Sequence, residues 1–158
     1  MLGALTHMLP TQILITLAVL LTVTHFAHAQ DTPERQLQDA ACDGDLGEIK
    51  RLLGASADID TRKEPGATPL YYATLEKHED IALLLIERGA AVNRRGGPKR
   101  DTPLMNAASF NELSVIRALL RRGARTDLRC DRGMTAREHA VLNHHSEAAK
   151  LFDKFKAK

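Results

Sequence analysis

Several features typical of an enzyme are missing from this sequence. It contains no G-x-S-x-G motif, no glycine-rich phosphate loop and no cysteine–histidine pair at a spacing usable for catalysis. Only two of its 158 residues are cysteine, too few for disulfides to build the fold of an exported protein. We therefore expect no enzymatic activity and no cofactor.

Charged residues are absent from the first 29 positions. Ile13 to Val23 is an apolar core, and Ala27-His28-Ala29 has the small-residue pattern of a signal-peptidase site. The core is shorter than the ~20 residues that span a bilayer. We predict a signal peptide over residues 1–29, cleavage after Ala29 and a periplasmic or secreted protein without stable membrane insertion. Because no Lys or Arg precedes the core, an uncleaved anchor in the inner membrane is the alternative.

Two segments of the chain are nearly copies of one another. TPLYYATLEKHEDIALLLIERGAAVN begins at Thr68, and TPLMNAASFNELSVIRALLRRGARTD begins at Thr102. The same register extends to both sides with a period of about 33 residues, which indicates stacked copies of one building block. The columns that carry the period are Leu37, Leu70, Leu104 and Arg137; Ala40, Ala73, Ala107 and Ala140; Ala57, Ala90 and Ala124; and Asp60, Asn93 and Asp127.

Each copy predicts two short helices. Thr68 and Thr102 each precede a proline, the usual order of an N-cap and a first helical residue, so a first helix is expected over about 69–76. A second, apolar helix is expected over about 80–87 and ends at Gly89, which accepts a positive φ. One such pair cannot bury its apolar residues alone, so neighbouring units must stack.

The T-P-L heads, the G-A pairs and the V-N of the first copy resemble the ankyrin repeat family, in particular its small exported bacterial members. The resemblance implies an all-α repeat solenoid, an ankyrin stack of about four helix-turn-helix units with projecting β-hairpin fingers. We expect a short linker over 30–34 and an ankyrin repeat domain over 35–158, with more polar outer units as caps. The four units are expected at about 35–60, 68–93, 102–127 and 135–155.

Two departures from the family pattern concern the loops. The histidine of T-P-L-H is replaced by Tyr71 in unit two and by Met105 in unit three, so the loops that it ties together are expected to be held differently. The second finger, NRRGGPKRDTP, has one residue more than the others and includes Gly96 and Gly97. We expect this finger to carry something specific.

The resemblance implies binding of a protein partner through a concave face, built from the finger tips and the outer side of each first helix. Tyr72, Leu75 and Phe110 are large residues on this predicted face, and aromatic anchors are favoured at interfaces. Scattered exposed apolar residues are the alternative reading. The first-helix residues expected to contact the partner are Tyr72, Leu75, Glu76, Asn106 and Phe110.

Charge is distributed unevenly along the chain. Residues 31–60 carry eight acids against three bases, and residues 94–137 carry eleven bases against four acids. Basic fingers are expected to attract an acidic protein partner, with solvated surface charge as the alternative. Nucleic acid is not expected, because the aromatic residues of single-strand binders are absent. The finger residues assigned to the partner are Arg62, Lys63, Arg94, Arg95, Lys99, Arg100 and Arg129.

We assign structural rather than functional roles to the arginines, histidines and cysteines outside the predicted partner surface. Arg125 lies near the end of a second helix, where a cation complements the helix dipole. His139 and His144 lack the i, i+4 spacing of a helical ligand pair, so no metal site is expected. Cys42 and Cys130 are separated by at least two layers of helices, too far for a disulfide.

These observations favour a monomeric, non-catalytic protein-binding module with an inhibitory or immunity role or an accessory role in stress defence. A structural scaffold or a self-associating envelope protein is the first alternative. A metal-binding or enzymatic protein is the second.

Overall fold

The computed structural model describes residues 32–62 and 66–156. The predicted signal peptide, the start of the linker and Lys63 lie outside these residues. The described part contains eight helices, all within the compact unit Pro33–Lys158. They are α1 (Pro33–Asp43), α2 (Leu46–Gly54), α3 (Pro69–Leu75), α4 (Glu79–Glu87), α5 (Pro103–Ser109), α6 (Leu113–Arg121), α7 (Ala136–Leu142) and α8 (Ser146–Lys156).

The helices form four pairs, here called units one to four, and each unit packs on the next. First helices contact one another in the order α1, α3, α5, α7, and second helices in the order α2, α4, α6, α8. The result is the expected all-α repeat solenoid with two layers. We call the contacts between successive units the first, second and third junctions. None of the helices in the described ranges is long and apolar enough to cross a bilayer.

The first helix of units two to four starts at a threonine cap. Thr68 and Thr102 each accept a hydrogen bond from the backbone N–H three residues later, at 3.3 Å, and Thr135 does so at 3.4 Å. At Met105 the side-chain sulfur in turn accepts the N–H of Thr102, at 3.3 Å. Methionine thus closes the start of its helix at the position where the family has histidine.

The turn between the two helices of each unit requires a left-handed residue. Its φ is +83° at Gly44, +65° at Lys77, +59° at Asn111 and +61° at His144. The second helices of units two and three end at Gly89 and Gly123 with φ of +90° and +81°, as predicted. These matching angles show that the backbone repeats more faithfully than the side chains do.

Leucines of the first helices fill the core between the two layers. Leu37, Leu70 and Leu104 are 0–1% exposed, as expected for residues that neighbouring units cover. The same column in unit four holds Arg137, which pairs with Asp153 of α8 at 2.7 Å. A polar residue therefore replaces an apolar one where no further unit in the described residues packs against the stack.

The fingers connect one unit to the next mainly through turns. No strand occurs in the described ranges, and the hairpin character reduces to a bridge between Gly96 and Asp101 in the second finger. Asp60 and Asn93, which occupy the same position of successive repeats, nevertheless connect the fingers. Each accepts the backbone N–H of the corresponding residue in the next finger, Ala91 or Arg125, at 2.8 Å. Adjacent fingers are thereby tied together.

The second finger folds closely over Tyr71. A Cβ atom at Gly96 would lie 2.8 Å from the ring of Tyr71 and 2.9 Å from the Cα of Ala67. A Cβ at Gly97, where φ is +70°, would lie 2.1 Å from the tyrosine hydroxyl. The two glycines leave the space that the larger tyrosine needs in place of the family's histidine.

Candidate functional site

Aromatic and apolar side chains of the first helices are partly exposed beside the fingers. Phe110 is 41% exposed, and the Nζ of Lys77 lies 5.6 Å from its ring centroid. Tyr72 is half-buried, with its ring edge-on to Tyr71 at 5.8 Å, and Leu75 is also half-buried. Glu76 is exposed. These predicted contact residues thus retain accessible surface.

Asn106 does not belong on this surface, which corrects the expectation from its column. Its side chain is only 5% exposed. Its Nδ2 donates to the carbonyl of Tyr71 and to Oγ1 of Thr74, both at 3.4 Å. The amide is used to join units two and three, so it is not available to a partner.

Five arginines surround one cavity of about 320 Å³ beside the first three fingers. Arg125 pairs with Asp127 at 2.7 Å. No ion pair within the described residues neutralises the other four. Such a concentration of guanidinium groups favours the binding of carboxylates, because each guanidinium can donate two parallel hydrogen bonds to one carboxylate. The arginines are Arg62, Arg94, Arg95, Arg100 and Arg125.

The other basic residues assigned to the partner lie apart from this cavity. Arg129 is exposed but bonds the carbonyl of Gly133 and pairs with Glu138 at 3.3 Å. Lys99 is exposed, and its carbonyl accepts the N–H of Asp131 at 3.0 Å. Arg125, which we interpreted as a helix-dipole residue, contributes to the cavity instead. Its position in the finger column of Ala91 could have revealed this.

Histidines at equivalent positions join neighbouring units, in agreement with their structural interpretation. Nε2–H of His78 donates to the carbonyl of Cys42 at 2.9 Å, and that of His145 donates to the carbonyl of Ser109 at 3.0 Å. Unit three has Glu112 at this position, with its Oε2 buried and without a hydrogen-bond partner in the described part of the chain. Burial, and secondarily the charge of Glu79, raises the pKa of Glu112 to about 7.

A polar cluster that the sequence analysis missed is enclosed beside the third junction. Nε2 of His139 lies 3.6 Å from Sγ of Cys130 and 3.7 Å from Oδ1 of Asp101. His139 and Cys130 are 3% and 4% exposed. The three residues are 9 to 38 positions apart and on different elements, so no local motif announces them. His139 packs against unit three, where its Nδ1 lies 2.9 Å from Oγ of Ser109.

Comparison with known proteins agrees with this architecture. The profile of ankyrin repeats (3 copies) matches residues 17–96 and 92–157. The repeated helix pairs define a repeat solenoid, and the chain belongs to the ankyrin repeat family. Ankyrin repeats are generally protein–protein interaction modules and are typically non-catalytic.

Similar proteins are much longer than this chain. E3 ubiquitin-protein ligase XBAT33 of Arabidopsis thaliana is 33% identical over 125 residues, which make up 73% of this chain and 23% of that protein. Human ankyrin repeat and SOCS box protein 16 is 33% identical over 100 residues, 63% of this chain and 22% of that protein. Human ankyrin repeat and KH domain-containing protein 1 is 33% identical over 88 residues, 55% of this chain and 4% of that protein. This chain therefore spans less than a quarter of each relative.

Proposed function

We propose that this protein is a non-catalytic binding module of the periplasm or the secreted fraction that holds an acidic protein partner against its fingers. The observation that carries the proposal is the arginine cavity. Four of its guanidinium groups have no ion pair in the described residues, so a partner's carboxylates can bind there without displacing an existing bond. Fingers tied to one another also present these groups on a fixed frame.

The first-helix surface supplies the apolar part of the proposed interface. Phe110 exposes 41% of its surface, and Tyr72 and Leu75 retain partial exposure near it. A partner with an acidic segment next to an apolar one would match both features. Charge would speed its approach, whereas the aromatic contacts would slow its release. Whether binding inhibits the partner, confers immunity or supports a stress response would follow from the partner's identity.

The binding proposal is tested by capture from an envelope extract with three forms of the protein. We expect the unmodified protein to capture a partner, and Arg94→Ala/Arg100→Ala to lose it. Arg117→Ala/Arg121→Ala is the matched control, because it removes the same charge from exposed positions of α6. Equal loss in both variants would mean nonspecific charge attraction. Equal retention would exclude the arginine cavity as the binding site.

The location is tested separately. We expect the protein from an osmotic-shock fraction to begin at Gln30, as measured by mass spectrometry of the intact chain. Replacing Ala29 by a bulky residue should block cleavage and leave the protein in the membrane fraction. An unprocessed protein in the membrane fraction of the unmodified strain would instead support the anchored alternative.

Self-association is a second candidate, favoured by one observation. Val141 and Leu142 of unit four are 51% and 57% exposed, the largest values among the exposed large hydrophobic residues described. Sedimentation velocity of the unmodified protein and of Val141→Ser/Leu142→Ser distinguishes the two. A monomer in both cases supports the binding module, whereas a dimer that the variant dissociates supports self-association.

A further inference from the structure

We propose that Asp101, Cys130 and His139 form a zinc-binding site between the second finger, the third finger and α7. One ligand atom from each residue is available, and the three atoms lie within 4.8 Å of one another. Asp101 ends the second finger, Cys130 lies in the third, and His139 is on α7. The hydrogen bond from Asp131 N–H to the carbonyl of Lys99, 3.0 Å, holds the two fingers together at this point.

Two of the three separations match those of ligands on one tetrahedral zinc ion. With Zn–S of about 2.3 Å and Zn–N or Zn–O of about 2.0–2.1 Å, tetrahedral angles place S and N about 3.6 Å apart and N and O about 3.4 Å apart. The corresponding distances here are 3.6 Å from Cys130 to His139 and 3.7 Å from His139 to Asp101. The third pair, Cys130 and Asp101, lies within 4.8 Å, so these two groups need to approach each other by at most about 1.2 Å to contact one ion.

The imidazole of His139 is already oriented as a ligand. Its Nδ1 lies 2.9 Å from Oγ of Ser109. In the tautomer that carries the proton on Nδ1, this proton is donated to Ser109 and Nε2 has a free lone pair directed at Cys130 and Asp101. An outer hydrogen bond of this kind is the usual companion of a metal-bound histidine. Burial, which outweighs the charge of Asp101, lowers the pKa of His139.

Asp101 provides an independent reason for a cation. Its Oδ1 is buried and has no hydrogen-bond partner in the described residues, although its side chain as a whole is 13% exposed. A buried carboxylate oxygen without a partner is costly, and native structures usually supply one. A metal ion would supply it. The remaining exposure gives a route for entry, and a water molecule would be the fourth tetrahedral ligand.

The charges of such a site balance. On binding, the thiol of Cys130 loses its proton to solvent and its sulfur donates a lone pair to Zn²⁺. Thiolate and carboxylate together offset the two charges of the ion, so the occupied site is neutral within a mostly buried pocket. The combination of sulfur, nitrogen and oxygen ligands suits zinc better than calcium or magnesium, which prefer oxygen alone. The site would fasten both fingers to unit four.

Cobalt is the probe that tests this site, because Co²⁺ adopts the same geometry and is coloured. The full chain, purified without a histidine tag and stripped with a chelator, is titrated with Co²⁺ and then Zn²⁺. We expect one Co²⁺ per chain, a near-ultraviolet thiolate-to-cobalt band, tetrahedral visible bands and displacement by zinc. Cys130→Ala should abolish the thiolate band and weaken zinc binding at least about 100-fold, and Ser109→Ala should weaken it about 10-fold.

Two comparisons keep the test decisive. Cys42→Ala removes the other cysteine and should leave the cobalt spectrum unchanged. Asp101→Asn and Cys130→Ala should retain the circular dichroism of the metal-free protein, and zinc should raise Tm only in chains with an intact site. The proposal is overturned if the unmodified protein binds no cobalt, if the thiolate band persists in Cys130→Ala, or if Cys42→Ala removes it.

Discussion

The second and third junctions place different chemistry at equivalent positions of the same backbone. At one position, Asn106 bonds the carbonyl of Tyr71 in the second junction, whereas His139 contacts Ser109, Cys130 and Asp101 in the third. At another, the third junction has His145 bonded to a carbonyl at 3.0 Å. The second has Glu112, whose buried Oε2 has no hydrogen-bond partner in the described residues.

This difference teaches that a repeat fixes where side chains meet but not what they do there. The second junction uses Asn106 to join units, and Oε2 of Glu112 stays there without a hydrogen-bond partner among residues 32–62 and 66–156. At the position equivalent to Glu112, the third junction has His145, which is hydrogen-bonded to a carbonyl. The third junction also brings together the ligand atoms of Asp101, Cys130 and His139. The four predictions below test these distinctions, in order from the largest expected effect to the smallest.

Gly96→Ala should damage the second junction most. The new Cβ would meet the Tyr71 ring at 2.8 Å and the Cα of Ala67 at 2.9 Å, and the backbone contact cannot be relieved by a side-chain movement. We expect the free energy of unfolding to fall by about 2–4 kcal/mol in urea denaturation. Gly54→Ala is the control, because nothing lies within 4 Å of its Cβ position; it should be neutral or slightly stabilising. An unchanged urea midpoint in Gly96→Ala would contradict the close packing over Tyr71.

Asn106→Ala should weaken folding without weakening partner capture. Removing the amide leaves the second junction without two hydrogen bonds, at a cost of about 2 kcal/mol. Glu76→Ala, at the exposed C-cap of α3, should stay within about 0.5 kcal/mol of the unmodified protein. Urea denaturation gives the stabilities, and capture from the envelope extract gives the binding. Normal stability with lost capture in Asn106→Ala would return this residue to the partner surface.

Glu112→Gln should make the second junction less sensitive to pH. The folded-state pKa of Glu112, about 7, lies above the ordinary value of 4.5, so the folded chain binds the proton more tightly than the unfolded chain. The stability that this proton provides is complete below about pH 4.5 and is lost as pH rises to about 7. Allowing for screening at a half-buried group, the variant should gain about 1–2 kcal/mol at pH 8 and nothing at pH 4.

The measurement for this variant is the free energy of unfolding at several pH values. Glu112→His is a useful companion, because it installs the residue that the other junctions use at this position. It should also be more stable than the unmodified protein at pH 8. A constant difference between Glu112→Gln and the unmodified protein from pH 4 to pH 8 would show that Glu112 ionises normally.

His144→Gly should stabilise the turn of unit four slightly. His144 has φ of +61°, in the left-handed region that a residue with a Cβ enters at a cost. The corresponding residue of unit three is Asn111, which tolerates this region better. We expect a gain of about 0.5–1 kcal/mol, measured by calorimetry. His144→Ala keeps the Cβ and should gain nothing; an equal gain from both changes would rule out backbone conformation as the cause.

The sequence predicted the helices well because the repeat contains its own local signals. The threonine–proline starts place α3 at Pro69–Leu75 against the predicted 69–76. The second helix, Glu79–Glu87, agrees with the predicted 80–87, and its terminating glycine has the expected φ. Caps and terminators act within a few residues, so their effect can be read without knowing the neighbours.

Burial within a column was harder to predict because the neighbouring unit decides it. Tyr72 is half-exposed, whereas Asn106 and His139 at the same position are buried, since each meets a different set of side chains in the unit before it. The Asp101–Cys130–His139 cluster depends in addition on the fold of two fingers. The proposed export and the partner surface remain predictions, and the signal segment lies outside the described residues.

Because each unit contacts only the units next to it, the stack also has a characteristic mechanical behaviour. Among the described second helices, each contacts only those of the adjacent units, so strain along the stack is transmitted through one junction after another. The link with the weakest restoring force then takes most of the bend. Above neutral pH, deprotonation of Glu112 weakens the second junction, because burial makes its charged form unfavourable. The arginine cavity is lined by residues of the first three fingers, so a ligand bound there would brace this junction against bending.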